Sequence, residues 1–198
     1  MRADSIVLGI AGILFGVIIG WVLGSQQAAR VTRVAAPVAQ AAPADPQAAA
    51  APAPPPIDPA RVKALEEAAA QNPKDFQPRV QLGNIYFDGE KYPDAIKWYE
   101  QAIAISANDP NVSTDLGVAY YYTNQSDKAL AQFDKSLAID PKHIKTLLNV
   151  GIVRAFGKQD LAGAGKAWQQ VVDLAPDSPE GQAAKKGLEG IKSASGAK

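Results

Sequence analysis

Residues 116–141 read LGVAYYYTNQSDKALAQFDKSLAIDP, and the pattern of this stretch recurs on both sides of it. Gly117 has counterparts at Gly83 and Gly151, each 34 residues away. The large side chain at position 133 recurs with spacings of 34, 34 and 35 residues, as Leu65, Tyr99, Phe133 and Trp168. Self-similarity with a fixed period indicates a chain built from stacked structural repeats, each too small to bury its own apolar surface.

Further positions keep the same offset and define the type of repeat. Three sets of equivalent positions show this. The first set is Ala95, Ala129 and Ala164, the second is Ala68, Ala102, Ser136 and Val171, and the third is Pro73, Pro141 and Pro176. A period of 34 residues with this order of residue types resembles the tetratricopeptide repeat. The resemblance spans residues 59–178 and implies an all-α solenoid of helix pairs.

The helix boundaries follow from capping residues. Asp58 and Ser178 are good N-caps, and Pro59 and Pro179 suit the first turn of a helix. The predicted domain at 59–192 consists of a half repeat, three full repeats and an end helix with a polar outer face, at 59–75, 76–109, 110–143, 144–178 and 179–192. Residues 193–198 are predicted to be a disordered tail.

Two parts of this domain depart from regularity. In the third repeat Arg154 replaces the usual tyrosine, and one extra residue is assigned to the turn between Gly157 and Ala164, so this repeat is expected to pack less regularly. The first repeat has Ala107 in place of its final proline. The end helix is expected to fray at its far end, because each glycine in a helix costs roughly 1 kcal/mol relative to alanine; its glycines are Gly181, Gly187 and Gly190.

The amino-terminal segment, residues 1–27, has the length and composition of a membrane anchor. From position 6 to 24 there are 19 residues without a charged or strongly polar side chain. A helix of this length measures about 28 Å, close to the ~30 Å hydrocarbon core of a bilayer. We expect a single transmembrane helix. The alternative is a cleaved secretory signal, which has a shorter apolar run with a cleavage site close behind it.

Four glycines recur every four residues in this span and fall on one stripe of the helix: Gly12, Gly16, Gly20 and Gly24. Repeated GxxxG spacing lets a second helix backbone approach closely in lipid. The stripe predicts a helix–helix contact with a second copy or with another membrane protein. The alternative is that glycine is common in transmembrane helices for other reasons.

Residues 28–58 are predicted to be a disordered linker. They contain 13 alanines and 7 prolines among 31 residues, and the prolines prevent continuous helix. Such a spacer suits a domain held in an envelope compartment, so the repeats are expected on the periplasmic side of a bacterial inner membrane. The cytoplasmic side remains the alternative, because the basic residues flanking the span are nearly balanced.

Composition excludes several classes of function. The chain has no cysteine, a single histidine, and 20 basic against 20 acidic residues. These counts argue against thiol chemistry, histidine-based metal sites, a catalytic triad and nucleic-acid binding. We therefore expect no enzyme activity, no metal and no cofactor. His143 lies in a turn, where a solvated or capping role is expected.

The resemblance also implies where a partner binds. In tetratricopeptide repeats the first helices of successive repeats line a concave groove, which maps here to Asn84, Phe87, Asp88, Thr114, Val118, Tyr121, Tyr122, Lys145, Leu148, Ile152 and Phe156. The apolar and aromatic character of the groove suits an apolar or amphipathic segment of a partner polypeptide. Its favoured contacts are Phe87, Tyr121, Tyr122 and Phe156. The alternative is that the chain's own half repeat or linker covers these side chains.

One subtype of the family binds the acidic carboxyl-terminal tails of cytosolic chaperones through Lys, Asn and Arg side chains. The matching positions here are Val80, Asn84, Asp115, Lys145 and Asn149. Asp115 would repel a tail carboxylate, so this activity is not expected.

These features together predict a membrane-anchored adaptor that binds a protein or peptide partner through the groove. The layout is similar to that of bacterial inner-membrane repeat proteins, including accessory factors of cytochrome c maturation. The competing hypothesis is a permanent accessory subunit of a larger membrane complex, held through the glycine stripe.

Overall fold

The computed structural model describes residues 53–196, and over this range the chain forms eight α-helices and no strand. The helices are α1 (Pro59–Gln71), α2 (Gln77–Asp88), α3 (Tyr92–Ile105), α4 (Pro110–Tyr122), α5 (Ser126–Ile139), α6 (Ile144–Ile152), α7 (Leu161–Leu174) and α8 (Pro179–Gly196). A π-helical segment, Val153–Gly157, continues α6. The predicted membrane span, its four glycines and linker residues 28–52 lie outside the described residues. In the part of the chain that is described, no helix is both long and apolar enough to cross a bilayer.

Successive helices pack against one another along the chain, as in a solenoid. The pairs α2–α3, α4–α5 and α6–α7 form the three predicted repeats, and α3 and α5 join each pair to the next. Helix α1 packs on α2 at one end, and α8 packs on α7 at the other. The all-α solenoid predicted from the 34-residue period is therefore confirmed for residues 53–196.

The predicted caps begin the first and last helices. The Asp58 carboxylate accepts a hydrogen bond from the backbone N–H of Ala60 at 2.9 Å, ahead of Pro59. The Ser178 hydroxyl accepts one from the N–H of Gly181 at 3.0 Å. Both side chains satisfy backbone donors that have no partner within the helix.

The core of each repeat is a glycine packed against an aromatic ring. A Cβ atom placed on Gly83, Gly117 or Gly151 would overlap the ring of Tyr99, Phe133 or Trp168, respectively. These rings are 0–2% exposed, and the alanines Ala95, Ala129 and Ala164 are fully buried beside them. The recurring glycines therefore let the two helices of a repeat approach closely, as their positions predicted.

The third repeat holds its extra residue inside the helix, and the predicted location in the following turn is wrong. Glu90, Asn124 and Gln159 are equivalent turn residues, because each adopts a left-handed φ of 56–60° after a first helix. Their spacings are 34 and 35 residues, so the insertion precedes Gln159. It lies in the π-helical segment Val153–Gly157, where the Lys158 N–H bonds to the Val153 carbonyl five residues back.

The end helix is longer than predicted. Helix α8 continues to Gly196, so the expectation of a disordered tail from residue 193 is wrong for residues 193–196. Two of its glycines are buried contact points: a Cβ on Gly187 would overlap the Trp168 ring, and one on Gly181 would overlap the Ala175 carbonyl. Tertiary packing on α7 offsets the low helix propensity of glycine.

Candidate functional site

The predicted groove residues lie on α2, α4 and α6, the first helices of the three repeats. We call the surface formed by these helices the first-helix face. Helix α2 carries Asn84, Phe87 and Asp88; α4 carries Thr114, Val118, Tyr121 and Tyr122; α6 and its π-helical extension carry Lys145, Leu148, Ile152 and Phe156.

An aromatic cluster brings α2 and α4 together at the carboxyl ends of both helices. The Phe87 and Tyr122 rings meet edge to face, with centroids 6.0 Å apart. Tyr92, the first residue of α3, stacks on Tyr122 at 4.5 Å and meets Phe87 at 5.4 Å. Tyr121 lies 6.1 Å from Tyr122. Aromatic rings at these distances attract one another, so the cluster holds the carboxyl ends of α2 and α4 together at one edge of the first-helix face.

The cluster is anchored on the core but remains partly open. Phe87 packs against the core of the first repeat, and Tyr121 packs against that of the second and third. All four rings are half-buried. Burial raises the pKa of Tyr92 to about 12, helped by Tyr122 and Glu90, so its hydroxyl stays protonated at neutral pH. Burial, more than the neighbouring Tyr122 or Glu90, likewise raises the pKa values of Tyr121 and Tyr122.

Sequence reasoning missed Tyr92. It lies outside the first helices that the repeat pattern assigns to the groove, at the start of the second helix of its repeat. A signal was available, because Tyr92 comes only two residues after the turn residue Glu90 and four after the end of α2 at Asp88. The first residue of a second helix therefore lies beside the last turn of the first.

The polar groups of the first-helix face bind one another. The Tyr99 hydroxyl donates to the Asn84 side-chain oxygen at 2.8 Å, which holds Asn84 in place. Lys145 and Asp115 form an ion pair at 2.8 Å between α6 and α4. The cation that would contact an acidic ligand is therefore already paired within the protein.

Asp88 differs from these paired groups. Partial desolvation, and then the negative charge of nearby Asp115, raise the pKa of its carboxyl above the ordinary value. Asp88 also ends α2, where the helix dipole disfavours a negative charge. The first-helix face thus carries an accessible carboxylate that its surroundings destabilise.

Two predicted groove residues are buried instead of lining the surface. Thr114 is 0% exposed and Ile152 is 8% exposed. The Thr114 hydroxyl lies 2.6 Å from the Pro110 carbonyl, 3.0 Å from the Ser136 hydroxyl and 2.6 Å from the Thr146 hydroxyl. Thr114 therefore joins α4, α5 and α6, and it is not available to a partner. Leu148, Val118 and Phe156 are half-buried, and Lys145 is exposed.

His143 belongs to the same polar interface between the second and third repeats. It occupies the N-cap position of α6 but makes no side-chain capping bond. Its Nδ1 lies 2.6 Å from the Thr146 hydroxyl, and its Nε2 lies 3.2 Å from the Asn111 side-chain oxygen. The ring thus connects the two repeats, which its position in a turn did not reveal.

No metal-binding group of three His, Asp or Glu side chains is present in residues 53–196. A surface depression lies in the turn between α1 and α2 and contains none of the predicted groove residues; its lining is Gln71, Asn72, Pro73, Lys74 and Asp75. The first-helix face consists of an aromatic cluster and a few charged side chains.

Comparison with known proteins identifies the repeats. A family model described as "TPR repeat" matches residues 83–124, and one described as "Tetratricopeptide repeat" matches residues 111–143. No curated protein is significantly similar to the chain in sequence.

Solved structures support the same fold. The Sgt2 TPR domain from Aspergillus fumigatus is 28% identical over 60% of this chain and 77% of that one, with a TM-score of 0.54. The first TPR of Spaghetti (RPAP3), bound to the HSP90 peptide SRMEEVD, is 24% identical over 71% and 98%, with a TM-score of 0.54. The Yersinia enterocolitica type III secretion chaperone SycD, in complex with a peptide of the translocator YopD, is 21% identical over 59% and 91%, with a TM-score of 0.55. The chain therefore contains tetratricopeptide repeats in an all-α solenoid.

Proposed function

We propose that this chain is an adaptor that binds a segment of a partner polypeptide on its first-helix face. The observation that carries the proposal is the aromatic cluster of Phe87, Tyr92, Tyr121 and Tyr122, which is fixed on the core and yet half-exposed. Preorganised aromatic side chains with protonated hydroxyls give a ligand apolar contact and hydrogen bonds at little entropic cost.

The similar solved structures support a binding role over a catalytic one. The RPAP3 domain is bound to an HSP90 peptide, and SycD is in complex with a peptide of the translocator YopD. Their likeness to this chain is one of fold, and that fold places the first helices of its repeats side by side. We therefore assign the chain a protein or peptide ligand and no reaction.

We further propose that the adaptor is held at a membrane. Residues 6–24 would anchor it and residues 28–58 would tether the repeats at a variable distance, in the periplasm beside a bacterial inner membrane. A process of envelope assembly or biogenesis suits this layout. The support for these statements is the apolar span and the Ala/Pro composition of the linker.

Mutation distinguishes the adaptor from a fixed subunit of a membrane complex. The full-length chain, purified from native membranes, is compared with Tyr121→Ala/Phe156→Ala and with Gly16→Ile/Gly20→Ile. If the protein is an adaptor, only the Tyr121→Ala/Phe156→Ala variant loses the co-purifying partner. If the protein is a fixed subunit, only the Gly16→Ile/Gly20→Ile variant is released from the complex, because the larger side chains block the helix–helix contact.

A matched control removes apolar side chains from another surface. Ile105 and Ile139 end the second helices α3 and α5, and they are 36% and 37% exposed. Ile105→Ala/Ile139→Ala is expected to leave partner recovery unchanged. Equal loss of the partner in this control and in the aromatic pair would contradict the assignment of binding to the first-helix face.

A further inference from the structure

The basic side chains of the first helices all bind acceptors within the protein. Helices α2 and α4, and α6 with its π-helical extension, contain three of them, Arg79, Lys145 and Arg154. Arg79 donates hydrogen bonds to two backbone carbonyls at 2.8 and 3.0 Å. Arg154 forms an ion pair with Asp160 at 2.7 Å, and Lys145 forms one with Asp115 at 2.8 Å. On these described helices, a ligand therefore finds no uncommitted cation.

The pair of Lys145 and Asp115 lies on the first-helix face itself. Lys145 is the one basic side chain among the predicted groove residues, and its partner comes from the neighbouring helix α4. Val118 follows Asp115 by one turn and Leu148 follows Lys145 by one turn, so the ion pair has two half-buried apolar side chains beside it. A partner segment that crosses this face from the second repeat to the third passes the pair.

The two members of the pair are not equally accessible. The Lys145 side chain is 49% exposed, whereas that of Asp115 is 27% exposed. A carboxylate of a ligand can therefore reach the ammonium group, but the charge of that group is already balanced by Asp115. Attraction to the cation and repulsion from its partner nearly cancel, because both charges lie at similar distances from the ligand. An uncharged segment suffers no such repulsion.

We infer that Asp115 is a specificity-determining residue, which excludes acidic segments from the first-helix face by pairing with Lys145. This inference rests on the proposed function and adds the charge of the ligand. The partner segment carries no carboxylate where it crosses α4 and α6. The peptide SRMEEVD bound by the similar RPAP3 domain is acidic and supplies a probe. Without the charge of Asp115, Lys145 is free to bind a carboxylate of this peptide.

A gain of binding tests the role of Asp115. The purified full-length chain is titrated against fluorescent SRMEEVD and against a neutral form, SRMQQVN with an amidated carboxyl terminus, and fluorescence anisotropy gives the dissociation constants. Asp115→Asn keeps the shape of the side chain. It is expected to bind the acidic peptide roughly tenfold more tightly than the wild type does, because Lys145 is then unpaired. Its affinity for the neutral peptide is expected to stay unchanged.

Further variants separate the ion pair from other effects. Asp115→Asn/Lys145→Gln is expected to lose the gain, since the cation is removed as well. Asp134→Asn removes a carboxylate that is exposed on the second helix α5, and it is expected to bind both peptides like the wild type. Asp115→Ser removes the same charge as Asp115→Asn and replaces that variant if it does not fold. The gain is expected to shrink at high salt, where exposed charges are screened.

The outcomes separate this inference from the proposed function. An equal affinity of Asp115→Asn and Asp134→Asn for SRMEEVD would overturn the role of Asp115. A gain that persists after Lys145→Gln would also overturn it, because Asp115 would then act by direct repulsion and not through the pair. Neither result touches the proposed function, which fails separately if Tyr121→Ala/Phe156→Ala retains the co-purifying partner.

Discussion

Gly117 and Gly165 both lie inside helices, but only Gly117 faces a ring. A Cβ on Gly117 would overlap Phe133, whereas one on Gly165 would make ordinary contacts at 3.7 and 3.9 Å with Ile191 and Leu188. Gly117→Ala is expected to lower the free energy of unfolding by about 1–3 kcal/mol, because the core is overpacked. Gly165→Ala is expected to raise it by up to about 1 kcal/mol through helix propensity. Urea unfolding measures both; equal effects would contradict the role of glycine in helix crossing.

The pKa of Asp88 predicts how stability depends on pH at this residue. Because the folded state raises this pKa, the ionised carboxylate destabilises the fold at neutral pH, and the penalty disappears as the pH falls through the raised pKa. Asp88→Asn is therefore expected to be more stable than the wild type at neutral pH. Thermal unfolding midpoints should converge below the ordinary pKa of 3.8. A variant less stable at neutral pH would contradict this account.

At the scale of elements, Thr114 holds α4, α5 and α6 together through its hydroxyl. Thr114→Val keeps the shape of the side chain but removes one hydrogen-bond partner from each of the Ser136 and Thr146 hydroxyls, which remain bonded to each other. We expect a loss of about 1–3 kcal/mol in the free energy of unfolding.

Ser136→Ala supplies the test of the Thr114 network. If the hydroxyls act together, the double variant should lose less stability than the sum of the two single changes. A Thr114→Val protein with normal stability and weaker partner binding would contradict this role and indicate that Thr114 contacts the partner.

Helix α8 is expected to be a structural cap of the solenoid. Trp168 is only 2% exposed because Gly187 lies against its ring. A chain ending at residue 178 should therefore unfold at a lower temperature and show red-shifted tryptophan fluorescence. A chain ending at residue 192 removes part of the last turns of α8, where residues 193, 195 and 196 are exposed, and should behave like the wild type. Equal behaviour of both truncations would contradict the capping role.

At the scale of the whole molecule, the fold was predictable because each repeat depends on a glycine and a ring at fixed spacing. Gly83 with Tyr99 and Gly151 with Trp168 are visible in the sequence as a period, and the structure brings each pair into contact. The position of the π-helical segment was not predictable. The spacings show that one extra residue lies between Gly151 and Ala164, but they are the same for every position of that residue within this range.

The candidate site was predictable only in part. The helical period puts Thr114 and Tyr121 on the same helix, but it does not show that α5 and α6 close over Thr114. Tyr92 belongs to a second helix, so the groove pattern omitted it, although its ring stacks on Tyr122. The pairing of Lys145 with Asp115 likewise depends on the distance between two repeats.

Photo-crosslinking from position 121 tests most directly the claim that the first-helix face binds a partner. A photoreactive phenylalanine analogue replaces Tyr121 in the full-length chain in native membranes, and a second chain carries it at Lys135, which is exposed on α5. We expect one distinct protein to be captured from position 121 and to be absent from position 135. Capture of only the chain's own linker, or of the same proteins from both positions, would contradict it.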